Sequence, residues 1–296
     1  MRLLVIANPV SGGDARSRIA RAVAWLRARG ATVELQLTER RGDARRFAAE
    51  ALGRFSRVVV AGGDGTLNEV ANGLHGSNLP VAFLPLGTVN VFALETGIPL
   101  VLEDACRLAL EGRSRPISLG RIGDGVFLLM ASAGWDAAAV ARLRPSLKHW
   151  LGRLAYAVGA AETLLAESPA AVTITLADGS QRSGFGVVVS NARCYGGRFV
   201  ITPQASLFSS RLELGLLRRG GRLAMLDVAL RLVLHRPLPP ALIEYHSVAA
   251  VEIVGAGVPV QVDGDAWGTL PVQVSTLPGA LAVVLPESIR EGIHDC

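Results

Sequence analysis

A glycine-rich turn set between an unbroken apolar run and an amphipathic stretch constrains this chain more than any other feature. The run is Arg57-Val58-Val59-Val60-Ala61 and the turn is Gly62-Gly63-Asp64-Gly65-Thr66. Leu67-Asn68-Glu69-Val70-Ala71-Asn72-Gly73-Leu74 follows. β-Branched residues without alternation predict a parallel strand buried on both faces. Leu67, Val70, Ala71 and Leu74 recur at helical spacing and predict a helix. Strand, glycine turn and helix, in that order, aim backbone N–H groups at an anion. Glycine permits the close approach and the left-handed φ that such a turn can require. Asp64 then stands at the carboxyl edge of a sheet, where open α/β folds bind nucleotides. Thr66 and Glu69 also fit a capping box, and Glu69 is read as the cap of its own helix.

The preceding and following segments repeat the strand–helix alternation. Residues 2–7 predict a first strand, and Asn8-Pro9-Val10-Ser11-Gly12-Gly13 a turn. Asp14 is placed as the cap of a helix over 15–29, closed by Gly30. A second strand over 31–37 ends at Thr38, and a helix covers 43–53. A fourth strand over 80–84 leads into Pro85-Leu86-Gly87-Thr88-Val89-Asn90, followed by a short helix and another over 103–111. This pattern predicts a doubly wound α/β domain with a parallel sheet. Three strand ends on one edge carry turn motifs, so their loops can wrap one ligand. Singly, Asn8 and Asn90 read as turn residues. Together, the loops containing Asn8, Gly62, Gly63, Asp64, Gly65, Thr66, Gly87, Thr88 and Asn90 favour a nucleotide site.

Beyond Arg115 the pattern changes to short strands. Residues 117–122 and 126–132 read as a hairpin across Gly123-Asp124-Gly125. Gly134-Trp135-Asp136 opens a small-residue helix. Residues 146–167 read as an amphipathic helix with Trp150, Leu154, Val158, Ala161 and Leu165 facing a core. Strands are expected over 171–177, 184–190, 211–217, 248–254, 258–262, 272–275 and 281–285, with a basic helix over 222–235. The organisation expected is an α/β domain over 1–115 and a β-rich domain over 116–285, with room for the tail 286–296 to pack back on the first. In the second domain Asp263-Gly264-Asp265 sets two carboxylates at the end of a strand. Locally, a plain Asp-Gly turn stays open.

Half of the 296 residues are apolar and 19% are charged, which suits a sizeable core and excludes a disordered chain. The net charge is +5, and Lys148 is the only lysine, so arginine supplies nearly all the positive charge. Arginine suits phosphates and anionic membrane surfaces, although a composition rich in Arg and Ala explains the same excess. Aromatics are only 5% and do not interleave with basic residues, which argues against a nucleic-acid partner. Cys106, Cys194 and Cys296 are scattered, with neither metal spacing nor a disulfide framework. The apolar part of the N-terminus is too short for a signal peptide, and no run of about 18 uncharged apolar residues occurs. The expected location is cytoplasmic, with membrane contact only peripheral. The sequence is silent on oligomeric state, so a homodimer stays open.

Taken together, these motifs resemble the diacylglycerol kinase catalytic family, which includes bacterial lipid kinases and sphingosine kinases. The resemblance rests on Asn8-Pro9 with Ser11-Gly12, on Gly62-Gly63-Asp64-Gly65-Thr66, and on Pro85-Leu86-Gly87-Thr88 with Asn90. It continues through Ser132-Ala133-Gly134-Trp135-Asp136-Ala137, Asn191 with Tyr195-Gly196-Gly197, Pro203 with Ala205, and Asp263-Gly264-Asp265. The glycine-aspartate motif alone is shared with NAD kinases, so the flanking series makes the likeness specific.

The resemblance implies an N-terminal α/β domain, a C-terminal antiparallel β-sandwich, and an active site with ATP in the interdomain cleft. By that match Thr38, Gly62 to Gly65, Thr66, Leu67, Asn68 and Thr88 contact the nucleotide. It also implies phosphoryl transfer from ATP to a hydroxyl of a membrane lipid such as diacylglycerol, with Mg²⁺ as cofactor. Asp64 is expected to orient the magnesium of ATP, directly or through water. The family's late Asp-Gly-Glu supplies the base, and its glutamate position is Asp265 here, with Asp263 as the second choice. Where the family has an aspartate holding a structural magnesium, this chain has Ser209 beside Arg211. A hydroxyl beside a guanidinium is a poor magnesium site, so that accessory site is expected to be lost. Val91 and Leu94 depart from the family's usual Asp and Arg. Peripheral membrane contact is assigned to the helices over 146–167 and 222–235, through Lys148, Arg153, Arg222, Arg231 and Arg236. Two rivals remain: a kinase acting on NAD or another soluble alcohol, and a non-catalytic regulator binding nucleotide or lipid.

Overall fold

The computed structural model describes residues 1–142 and 171–287, so the helix expected over 146–167 lies outside the described residues. Two compact units are formed: Met1–Leu119 with the chain from Pro278 onward, and Gly120–Leu277. In the first, β1 (Arg2–Ala7), β2 (Thr32–Leu37), β3 (Arg57–Gly62) and β4 (Val81–Pro85) pair in parallel in the order β2-β1-β3-β4. The end of β18 (Val272–Leu285) extends this sheet in parallel, with Val283 opposite Val81. The sheet is flanked by α1 (Ala15–Ala28), α2 (Asp43–Glu50), α3 (Asp64–Leu74), α4 (Val91–Thr96) and α5 (Leu102–Glu111).

Side-chain alternation explains why the strands read as continuous apolar runs. Leu3, Val5, Val59 and Leu84 share one core with Ile19 and Leu26 of α1 and Ala105 and Cys106 of α5. Leu4, Ile6, Val58 and Val60 point to the other face, where α2 and α3 pack, and they are equally buried. Each such Leu, Ile or Val side chain contributes roughly 1.5–3 kcal/mol by leaving water. Strand order reverses between β1 and β3, since β2 lies on one side of β1 and β3 on the other. The loops after β1 and β3 therefore open at the point where such sheets bind ligands.

The second unit is a sandwich of two antiparallel sheets. One sheet has the order β14 (Ile243–Val248), β13 (Leu212–Leu217), β10 (Gly186–Ser190), β7 (Met130–Gly134), β16 (Pro259–Val262), β17 (Asp265–Thr269). The other runs from the start of β18 through β15 (Ala250–Val254) and β8 (Val172–Thr175) to β9 (Gln181–Gly184). Leu212, Leu214 and Leu216 of the first sheet meet Val172, Ile174, Val251 and Ile253 of the second in one core. β5 (Arg113–Ile122) turns into β6 (Gly125–Phe127), and β11 (Cys194–Tyr195) pairs with β12 (Phe199–Val200). Two helices are described here, α6 (Trp135–Arg142) and α7 (Arg222–Val233). No helix among the described residues is long and apolar enough to cross a membrane.

Four local expectations are corrected. The strand expected over 126–132 breaks at Leu128 and Leu129, whose N–H groups turn to the Asp263 carboxylate. The strands expected over 272–275 and 281–285 are one strand, β18, because Gly279 absorbs the bend at φ 62°. Asp14 precedes α1 at φ 54° and makes no side-chain cap bond. Glu69 does not cap its own helix, whose N-cap is Gly63. It reaches α2 instead, accepting the N–H groups of Gly42 at 3.0 Å and Ala44 at 3.1 Å.

Candidate active site

The first unit brings three loops together. The Leu86 and Gly87 N–H groups both donate to the Gly62 carbonyl, at 2.8 and 3.2 Å. The Asn8 N–H donates to the Ala61 carbonyl at 3.0 Å, and Asn8 Nδ2 lies 3.4 Å from Thr66 Oγ1. Asn8 Oδ1 accepts the Val10 N–H at 3.0 Å and shapes the first loop. Thr38, at the end of β2, donates its N–H to the Ala7 carbonyl at 2.9 Å, on the same sheet edge. Leu67 is buried inside α3, while Asn68 is half-buried and Thr88 exposed.

The glycines act by closeness rather than by handedness. Gly63, at φ −99°, lies against Gly87, where an added Cβ would stand 2.7 Å from the Gly63 Cα. A Cβ on Gly62 would strike Thr66 Cβ at 2.8 Å. Neither Gly62, Gly63 nor Gly65 takes a positive φ, which corrects that part of the expectation. Gly65 differs from its neighbours: it is exposed, and open space surrounds the position of an added Cβ. Protein packing does not demand a glycine there. An anion seated on the first turn of α3 would.

Asp64 ties the second loop to the third. Its Oδ2 accepts the Val91 N–H at 2.9 Å and its Oδ1 the Phe92 N–H at 3.0 Å. The carboxylate thus caps α4, whose own N-cap residue, Asn90, sits at φ 55° without a side-chain cap bond. Asn90 turns inward and donates Nδ2–H to the Gly87 carbonyl at 2.8 Å. Burial pushes the Asp64 carboxyl above its ordinary range, and the N–H bonds from Phe92 and Val91 oppose that shift. Each oxygen keeps a lone pair beyond its N–H bond, so the group fits water-mediated binding of magnesium.

The second unit separates the two late aspartates. Asp263 and Gly264 lie at φ 48° and 84° between the paired Val262 and Asp265, the two-residue hairpin turn that Asp-Gly favours. Asp263 Oδ2 accepts the Leu128 N–H at 2.8 Å, and Oδ1 accepts those of Leu129 and Met130 at 2.9 and 3.0 Å. Three N–H donors occupy this carboxylate, which fastens the break between β6 and β7. Asp265 opens β17 and is exposed.

Two further groups were given no role in the sequence reading. Asp136 accepts hydrogen bonds from the Ser132 hydroxyl and from Tyr195 Oη, the latter at 3.0 Å. Burial pushes its carboxyl up, against the pull of those hydroxyls. Gln261 extends the chain of bonds: Nε2 donates to Ser132 Oγ at 2.7 Å, and Oε1 accepts the Gly264 N–H at 2.8 Å. A buried line of polar groups therefore runs from Asp136 to the turn before Asp265. The signal was Gln261 itself, a polar residue inside an apolar strand. At the position where the resemblance implies an accessory magnesium, Ser209 Oγ accepts the Arg211 N–H at 3.0 Å, and Arg211 clasps Ser247.

Comparison with known proteins agrees with this anatomy. Residues 2–122 match the model of the diacylglycerol kinase catalytic domain, and residues 130–285 match the YegS C-terminal NAD kinase beta sandwich-like domain. A Bacillus subtilis protein named diacylglycerol kinase is 30% identical over 306 residues, covering 99% of each chain. A Pseudomonas aeruginosa protein named "Probable lipid kinase YegS-like" is 33% identical, covering 96% of this chain and 94% of that protein. A crystal structure described as a diacylglycerol kinase from Bacillus anthracis superposes with a TM-score of 0.76 at 21% identity, covering 98% of each chain. An NAD kinase from Archaeoglobus fulgidus, solved with ATP, shares the fold more distantly, with a TM-score of 0.53 at 16% identity over 97% of this chain and 94% of that one. Both domain matches and the near full-length relatives place the chain: it belongs to the family of diacylglycerol kinases and YegS-like lipid kinases.

Proposed function

We propose that the protein transfers a phosphoryl group from ATP to the hydroxyl of a diacylglycerol-like membrane lipid. The observation that carries the donor half is the meeting of three loops at the reversal point of the parallel sheet, with α3 starting among them and an unfilled space at Gly65. In this reading the first unit binds the nucleotide and the second the lipid. Gly62, Gly63, Gly65 and the α3 N-terminus hold phosphate oxygens through backbone N–H groups. Asn8, Thr38, Thr66, Asn68, Gly87, Thr88 and Asn90 form the wall around it. Magnesium bound with ATP would neutralise phosphate charge, and Asp64 would hold it. Asp265, exposed at the head of β17, takes the proton of the attacking hydroxyl. Asp263 holds the turn that aims it. A magnesium at Ser209 forms no part of this reading, because a neutral hydroxyl beside Arg211 is a poor ligand for the ion. The acceptor sits in a bilayer, so the protein works at a membrane surface.

Labelled ATP with Mg²⁺ is incubated with diacylglycerol, sphingoid bases, total bacterial lipid and NAD in parallel. Label in a lipid product is expected. Label in NAD alone would replace the acceptor, and tight ATP binding with no labelled product would replace catalysis with a regulatory role.

A further inference from the structure

Helix α7 is amphipathic in neither direction. Met225 and Val228 face inward and are buried. The outward face should be polar on a water-facing helix. Instead it carries Leu223, Leu226, Leu230 and Val233, which are 84, 51, 58 and 61% exposed, and Leu234 continues the line at the C-cap. At 100° per residue these side chains share one arc of about 100°. A continuous apolar face of this size on a soluble unit marks a docking surface.

The borders of the arc tell which partner fits. Arg222 flanks the stripe on one side. Arg231 flanks it on the other, tied to Asp227 at 2.8 Å and therefore held beside the helix. Arg236 follows just past the C-cap. At the foot of α7 a groove of about 550 Å³ is lined by Phe185, Arg218, Arg219, Leu223 and Asp227. Apolar side chains in the middle with guanidinium groups around them complement an anionic bilayer: acyl chains against leucine, headgroup phosphates against arginine.

We propose that α7 is the helix by which this protein docks on an anionic membrane, lying in the interface with its leucine face inserted. The choice of a bilayer as occupant leans on the lipid-kinase reading; the exposed face does not. Leucine insertion supplies the hold, and the arginines supply selection for anionic lipid.

Sedimentation with phosphatidylcholine vesicles, with and without phosphatidylglycerol, tests this directly. The wild-type protein is expected to bind the anionic vesicles and to weaken as salt rises. Leu226→Ser with Leu230→Ser should weaken vesicle affinity about tenfold or more at any salt. Arg219→Gln with Arg222→Gln should weaken it about tenfold at low salt and less at high salt. Activity toward a short-chain diacylglycerol dissolved as monomer should stay unchanged in the leucine variant, while activity on vesicle-borne substrate falls. Wild-type vesicle binding by the leucine variant would overturn the proposal. So would a concentration-dependent dimer that the leucine variant abolishes without loss of vesicle binding, which would assign the face to a second copy of the chain. Vesicle binding lost in the leucine variant, with no lipid phosphorylated by any form, would uphold the docking helix and remove the kinase reading alone.

Discussion

Asp263 and Asp265 are two residues apart, and the structure gives them opposite burdens. Replacing Asp263 with Asn keeps one acceptor oxygen, which can still serve Leu129 and Met130. The other oxygen becomes an NH2 facing the Leu128 N–H, now 2.8 Å away from a donor instead of an acceptor. One charge-assisted bond is lost, at about 1.5–3 kcal/mol, and a part-buried N–H goes unsatisfied at about 1–3 kcal/mol. These terms overlap, so a net cost of about 2–4 kcal/mol is expected. For a unit of this size that is a fall in Tm of roughly 5–15 °C. Asp263→Ala should cost more, because all three N–H groups lose their partner and a left-handed φ costs Ala about 1–2 kcal/mol. Asp265→Asn, at an exposed position, should change stability by less than about 0.5 kcal/mol yet lower turnover by about 10²–10⁴-fold. Thermal unfolding, hydrogen exchange at the Leu128–Met130 amides and ATP turnover, measured on all three variants, check this. Unchanged stability and protected amides in Asp263→Asn would refute the structural role. Full turnover in Asp265→Asn would refute the base assignment.

Glu213 gives a pH prediction. Burial pushes its carboxyl up to about 7, despite the Gln204 N–H it accepts at 2.6 Å. The folded chain holds a proton that the unfolded chain releases near 4.5, so stability falls as pH rises from about 4.5 to about 7. The loss is on the order of 2–3 kcal/mol, and Glu213→Gln should flatten it; equal Tm profiles at pH 5 and 8 for both proteins would contradict this. Glu69→Ala removes both N–H bonds at the start of α2 and should cost about 1–2 kcal/mol in urea unfolding. Gly87→Ala must push the Gly63 loop away, so ATP affinity should fall at least about tenfold by calorimetry while the circular dichroism spectrum is kept.

The first unit was legible because its strands are buried on both faces and its helices on one, so period and burial agree. The same local logic failed wherever a remote group decided the outcome. Leu128 and Leu129 sit in an apolar run that reads as strand, and only a carboxylate far along the chain breaks it. Glu69 fits a capping box with Thr66, yet the nearby α2 competes for it and wins. Two strands are expected over 272–275 and 281–285, but a single left-handed glycine, Gly279, lets β18 run through. At the site, the three loops could be placed from strand ends. The different surroundings of Asp263 and Asp265 could not, because both flank the same glycine and only hydrogen-bond partners distinguish them. The exposed leucines of α7 were equally hidden: a stripe at helical spacing looks the same whether it faces core or solvent.

The pairing of Val283 with Val81 bears on how the protein is born. During synthesis β4 emerges early, while its last sheet neighbour is encoded roughly two hundred residues later. At ordinary ribosomal speed the interval is on the order of 10–40 s. Throughout it the nascent sheet presents a bare parallel edge of Val81, Ala82, Phe83 and Leu84, the kind of template that captures stray strands. The first unit is begun first and finished last, so its yield in the cell depends on what shields that edge until β18 arrives.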